Sequence, residues 1–250
     1  CRLRGGNGGA WIDTLRWHRY INNQPVINTV SHTLAPTLAE QAPKRERRKE
    51  ARPGELLNAA LDLFVEKGFS ATRVEEVAAR AGVSKGTLFL YFQSKEDLFK
   101  AVVRENIANQ FPAWHEEFKT FQGSSADMLR YTLVAWWERI GKTRLSGITK
   151  LVMSEAQNFP EIANFYQEEV ITPAVRLLRD VLERGRANGE FKNFDTDSTI
   201  MVVIAPMLFF IMSKHSDALC LSGAPDTPSE NYIAQHADLI VRGLCAETSA

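Results

Sequence analysis

Apolar residues recur along most of the chain at intervals of three and four, the spacing of one helix face, and no strand of consequence is apparent. Leu56, Leu57, Ala60, Leu61, Phe64 and Val65 share such a face. Pro53 stands just before them, where a helix can begin without losing a hydrogen bond. Gly68 reads as the C-terminal cap of this helix, with Phe69 folding back onto the core. Val74, Val77, Ala78 and Ala81 form a second stripe, opened by Thr72 and Glu75 in the T-x-x-E spacing of a capping box. Gly82 suits a left-handed turn, and Val83 plugs the angle between helices. Ser84 reads as the N-cap of a short helix running to Tyr91 or Phe92, with Leu88 and Phe92 turned inward. Ser94 and Asp97 then open a longer helix. Residues 72–99 thus spell helix, glycine turn, helix and the capped start of a third, the grammar of a helix-turn-helix.

The rest of the chain is helical in pattern to its end. Expected helices cover residues 95–110, toward Pro112, then 126–140, 146–158, 161–187, 198–214 and 229–246. Pro173 predicts a bend or break near Thr172, and the Pro/Gly/Ser-rich stretch 222–229 marks an exposed link. Residues 200–212 (IMVVIAPMLFFIM) are apolar nearly all round. That run is too short to cross a membrane and needs burial on more than one side, in a dimer's four-helix bundle or in a monomer's core. The expected fold class is all-α: an N-terminal three-helix helix-turn-helix domain at 49–97 and a larger helical dimerisation and ligand-binding domain at 98–250.

Charge distribution adds direction to this picture. Lys/Arg and Asp/Glu number 30 each, so net charge alone implies no acidic partner. Residues 44–104, however, carry 13 basic against 9 acidic side chains and residues 105–250 carry 13 against 19, as in a protein with one end facing DNA. The run KRERRKEAR at 44–52 reads either as a solvated arm or as one reaching phosphate or the minor groove. Residues 1–48 are expected to be a poorly ordered leader ending in this basic arm. The first 43 show no sustained period; they could be non-native residues read from upstream of a true start, or a transit peptide. Three cysteines fit neither a disulfide framework nor a zinc site, so the expected setting is a reducing cytoplasm with no metal or cofactor.

The stretch LDLFVEKGFSATRVEEVAARAGVSKGTLFLYFQSKEDLF resembles the N-terminal domain of the tetracycline-repressor (TetR) family of bacterial regulators. Its G-F, T-x-x-x-V-A, A-G-V-S-x-G-T-L, Y-F and K-E-x-L elements stand in register over the region from Leu56 to about Ile107. The resemblance implies double-stranded DNA, as a palindromic operator, for a partner, and a homodimer as the acting unit. It puts Lys85, Gly86 and Thr87 at the end of the recognition helix that enters the groove first. Lys85 could donate to guanine and Thr87 could contact a base or phosphate, while Gly86 would let the backbone come close. Thr72 or Arg73, Tyr91 and Lys95 would hold phosphates without reading sequence; Lys95 opposes its own helix dipole, which a phosphate would explain. Phe89 departs from the family's usual Tyr and would give apolar contact to sugar or a thymine methyl.

The family's C-terminal body also holds a small-molecule cavity, which implies a small apolar or amphipathic effector. Candidate lining residues are Phe118, Phe121, Trp136, Trp137, Met153, Phe165, Tyr166 and Met207, although aromatic and Met side chains at helical spacing equally make ordinary core. His115, Glu155 and His215 could orient a polar group of the effector. The expected function is a DNA-binding transcriptional regulator, a repressor released by its effector. The alternative is an architectural DNA-binding protein without effector response. An all-α enzyme finds no support, because G-x-S-x-G, P-loop, H-E-x-x-H and dinucleotide fingerprints are lacking.

Overall fold

A computed structural model describes residues 44–215 and 229–246, with side chains described from residue 53 onward. Helix α1 (Lys44–Ala71) is interrupted at Gly68, and Pro53 lies within it rather than opening it. The expected apolar face is present: Leu56, Ala60, Leu61 and Phe64 are buried, joined by Ala59 and Leu63. Helices α2 (Val74–Arg80) and α3 (Lys85–Phe89) make the helix-turn-helix, with Gly82 at φ 68 between them. The N-cap of α2 is Arg73, one residue later than the Thr72–Glu75 spacing suggests, and the back-reaching carboxylate belongs to Glu76. Ser94 caps α4 (Lys95–Asn106) by accepting from Asp97 N–H at 3.0 Å.

Pro112 does not stop the helical run. A short 3-10 turn (Ala108–Gln110) leads into α5 (Phe111–Lys119), where Pro112 occupies the first turn and its missing N–H costs nothing. Helix α6 (Ser125–Trp136) continues as a π segment (Trp137–Gly141), followed by α7 (Ser146–Glu155) and α8 (Pro160–Tyr166). A second π segment (Gln167–Ile171) joins α8 to α9 (Thr172–Ala187), so the break expected near Thr172 takes the form of widened winding just before Pro173. The body ends with α10 (Thr196–Lys214) and α11 (Ser229–Leu244). Among the described residues the only β pairing is a single bridge between Phe191 and Cys245.

Two buried clusters carry the molecule. The first runs from α1 through α4 and on into Ile148, Leu151 and Val152 of α7 and Ile162, Phe165 and Tyr166 of α8. The second joins α6 and α9 to α10 and α11 through Leu129, Val181, Val203, Met207, Ile233 and Val241. Through the first cluster, α1 packs against α7 and α4 against α8, so the two helices that flank the helix-turn-helix rest on the body.

Candidate nucleic-acid interface

Helix α3 is fixed from its N-cap outward. Ser84 Oγ accepts from Thr87 N–H at 3.1 Å and lies 2.9 Å from Thr87 Oγ1. Leu88 points inward and is fully buried. Lys85, Gly86, Phe89, Leu90 and Tyr91 therefore stay on the outside, with Thr87 half-buried beside its cap. A Cβ on Gly86 would meet nothing nearer than Ser84 Oγ at 3.8 Å, so the fold itself has no need of glycine there. The missing side chain instead leaves a flat place on the helix edge, where another surface can approach the backbone.

The charged and apolar groups on this edge are arranged in order. Lys85 Nζ lies 2.5 Å from Glu75 Oε1 of α2 and 5.7 Å from the centroid of the Phe89 ring. The hydrogen bond from Lys85 holds the Glu75 carboxyl below the usual carboxylate range. Both partners are more than half exposed, so water screens the pair and an incoming phosphate or guanine could exchange for Glu75. Beyond Lys85 the edge turns apolar: Phe89 and Tyr91 are exposed, and Leu90 is 83% exposed. Sequence reasoning missed Leu90, although it is out of step with the inward Leu88 and Phe92.

Two of the expected phosphate contacts face the protein's own backbone. Thr72 is only 2% exposed, and its hydroxyl donates to Gly68 O at 2.6 Å and Leu63 O at 3.2 Å. Lys95 is half-buried; its Nζ donates to Phe69 O at 2.8 Å and Ser70 O at 3.2 Å, and lies 4.5 Å from the Phe69 ring centroid. The cation that opposes the dipole of α4 thus satisfies carbonyls at the end of α1, where a cation is favourable. Arg73 is exposed at the start of α2.

The eight candidate cavity residues do not converge. Phe165 and Tyr166 belong to the first core cluster, with Tyr166 Oη 2.9 Å from Thr149 Oγ1. Burial pushes the Tyr166 phenol upward, so it stays protonated. Trp137 and Met207 are buried in the second cluster, and Phe118 and Phe121 pack against it. Trp136 touches both clusters, while Met153 is 50% exposed. The Trp137 ring lies tilted against Phe210 at 5.2 Å, and its Nε1 is the one buried side-chain polar atom among the described residues without a hydrogen-bond partner.

Two surface grooves are lined by other residues. One, of about 310 Å³, lies between α10 and α11 along Ser198, Val202, Leu239 and Gly243. The other, of about 380 Å³, lies between α5 and α9 along Phe111, His115, Arg176 and Leu177. The three candidate polar anchors also separate. His115 lines the second groove, His215 Nε2 is 2.9 Å from Ser146 Oγ, and Glu155 accepts from two backbone amides near Gly68. No group of three or more His, Cys, Asp or Glu among the described residues could hold a metal ion.

Comparison with known proteins bears on both halves of the chain. Residues 56–102 match the family described as bacterial regulatory proteins, tetR family, and residues 122–218 match the tetracyclin repressor-like C-terminal domain, together more than half of the chain. The HTH-type transcriptional regulator RutR of Escherichia coli strain K12 is 29% identical over 138 residues, 55% of this chain and 57% of RutR. The chain therefore spans little more than half of that relative's length. The HTH-type transcriptional repressor KstR2 of Mycolicibacterium smegmatis is 27% identical over 158 residues, 62% of this chain and 76% of KstR2. The crystal structure of the regulator FadR from Bacillus subtilis in complex with stearoyl-CoA shares the fold, with TM-score 0.58 at 20% identity, covering 76% of this chain and 98% of that one.

Proposed function

The chain belongs to the tetR family of bacterial regulatory proteins, and from that premise we propose that it is a sequence-specific DNA-binding transcriptional regulator of the cytoplasm. Its acting form in this reading is a homodimer on a palindromic operator, and it is a repressor released by a small apolar or amphipathic effector. The observation that carries the reading is the outer edge of α3. A glycine the fold does not need is followed by exposed Phe89, Leu90 and Tyr91, with Lys85 on a water-screened and exchangeable partner. Lys85 and Thr87 are the expected base readers, Phe89 and Leu90 the expected contacts to sugar or thymine methyl, and Arg73 and Tyr91 the expected phosphate contacts.

Dimerisation finds support in α10 and α11. Met201, Val202 and Phe209 of α10 and Leu239 of α11 are exposed, a patch of large apolar side chains that water disfavours and a second copy would cover. Packed about a two-fold axis, the two pairs of helices would form a four-helix bundle and set two recognition helices on successive major grooves, about 34–36 Å apart. Repression is favoured by KstR2, a repressor by name, and an amphipathic effector by the stearoyl-CoA bound to FadR.

Selection of bound fragments from the host genome by the purified full chain tests the reading. A palindromic consensus should be recovered, with affinity falling steeply as salt rises, because phosphate contacts release counterions. Recovery of no common sequence, or binding indifferent to salt, would sink it. A second reading, DNA binding without effector response, is favoured by the scatter of the candidate cavity residues between two packed clusters. Thermal shift of the full chain against a panel of amphipathic compounds separates the two, since an effector must raise the melting temperature.

A further inference from the structure

The chain entering the helix-turn-helix and the chain leaving it are tied together at one point, and a side chain of the body completes the tie. Gly68 breaks α1 at φ 82 and ψ 173. The next two amides, Phe69 N–H and Ser70 N–H, donate to the two oxygens of the Glu155 carboxylate, at 2.6 Å and 3.0 Å. The carbonyls of the same two residues accept from Lys95 in the first turn of α4. Residues 69 and 70 lead into α2, and Lys95 follows α3, so the tie brackets the helix pair at both ends.

Three features argue that this site is built. A Cβ at Gly68 would stand 2.6 Å from Glu155 Oε1, so glycine there gives both the left-handed turn and the room for the carboxylate. Glu155 ends α7, where a negative charge opposes the helix dipole, so its own helix gives no reason for it. Phe69 is fully buried among the rings of Phe64, Phe99 and Phe159, the last just beyond α7 at 4.8 Å. Helix α7 is itself laid along α1, with Arg144 on Asp62 and Asn58 before its start and Gly147 against Val65. At its start Ser146 meets His215 at the end of α10, the helix with the exposed apolar face.

We propose that Glu155 is the positioning residue through which the body sets the recognition helix. Helix α7 is a strut from the end of α10 to the turn at 68–70, and a shift of the body reaches α3 by moving or releasing the two amides that Glu155 holds. The inference rests on the DNA-binding reading above. Glutamine cannot replace the carboxylate, because it offers one acceptor oxygen and would bring an NH₂ donor to the second amide.

The test measures affinity of the full chain for duplexes that the wild type itself selects, at a temperature where every variant is folded. Glu155→Gln is compared with Val181→Ala, which opens a cavity in the second cluster, away from the tie. Glu155→Gln should weaken binding about tenfold, on the scale of a coupling between sites, while Val181→Ala, with an equal or larger fall in melting temperature, stays within about twofold of wild type. Unchanged affinity in Glu155→Gln, or equal loss in Val181→Ala, would overturn the inference and leave DNA binding intact. Failure of the wild type to select any duplex would overturn both.

Discussion

Gly86 and Thr72 stand fourteen positions apart in one motif and have opposite tasks. Gly86 contributes nothing to the fold that a larger residue would not supply, since it is exposed with open space beside it. Gly86→Leu should leave melting unchanged or slightly raised, because an exposed helical glycine costs roughly 0.5–1 kcal/mol against alanine, while affinity for selected DNA falls at least tenfold. Paired melting and anisotropy titrations check both directions. Thr72 is the reverse case: Thr72→Val removes a buried hydroxyl that satisfies two carbonyls, so it should cost about 1–2 kcal/mol in denaturant unfolding and leave the selected sequence unaltered. Glu75 offers a gain of function. Glu75→Gln frees Lys85 and removes a negative charge from the edge proposed to face DNA, so binding to all sequences should tighten severalfold at low salt. An unchanged salt slope with weaker binding would mean that Lys85 faces elsewhere in the complex.

At the scale of elements, the apolar pattern located most helices but missed α5 (Phe111–Lys119) and ran α8 and α9 together, and junctions depended on what lay across from them. Pro112 and Pro173 both read as places where a helix should fail, yet each sits in the first turn of a new one. In the π segment Trp137–Gly141 the Trp137 ring lies against the glycine four residues on. A Cβ on Gly141 would overlap that ring. Gly141→Ala should therefore destabilise by about 1–3 kcal/mol, as overpacking does, measured by denaturant unfolding. Helix α10 is apolar on nearly every side, and its length and composition alone would let it cross a membrane. Its inner face nevertheless packs on α7, α9 and α11, leaving Met201, Val202 and Phe209 outward. If the proposed dimer forms through this face, Phe209→Asp should shift the sedimenting species from dimer to monomer, and with it lower DNA affinity by far more than one lost contact, because two half-sites are no longer read together.

The whole molecule adds a dependence on pH. Burial, and then the charges of Lys214 and Lys150, push His215 below its ordinary value of 6.5. Ser146 is its hydrogen-bond partner at the junction of α7 and α10. The folded state thus holds fewer protons than the unfolded state, so the contribution of His215 is present above pH 6.5 and is lost as pH falls below it. Melting temperature should decline as pH falls from neutral through the range below 6.5, and His215→Gln should flatten that decline. The lowered carboxylates, Glu66, Glu75 and Glu76 among them, start from 4.5 and lose their contribution only at lower pH, which keeps the two effects apart.

Local chemistry in the sequence was enough for every helix but α5, for the caps Ser84 and Ser94, for the left-handed Gly82, and for the separation of inward Val77, Ala78 and Leu88 from outward Lys85, Gly86 and Phe89. Each of these is decided within about one helical turn, where spacing and backbone preference act directly. Tertiary structure alone decided the rest. Lys95 looks like a phosphate ligand in the motif, but carbonyls left over at the break in α1, 25 and 26 residues away, are nearer claimants; Thr72 is claimed more locally, by Gly68 O four residues back. Glu155 carries no local signal at all, since its partners lie 85 and 86 residues away in the chain. The aromatic and Met residues singled out in the body suit a cavity by type, but packing assigned the aromatics and Met207 to two cores and Met153 to solvent. Side chains that buried groups recruit from a distance leave no period behind, and periodicity is what a sequence can be read for.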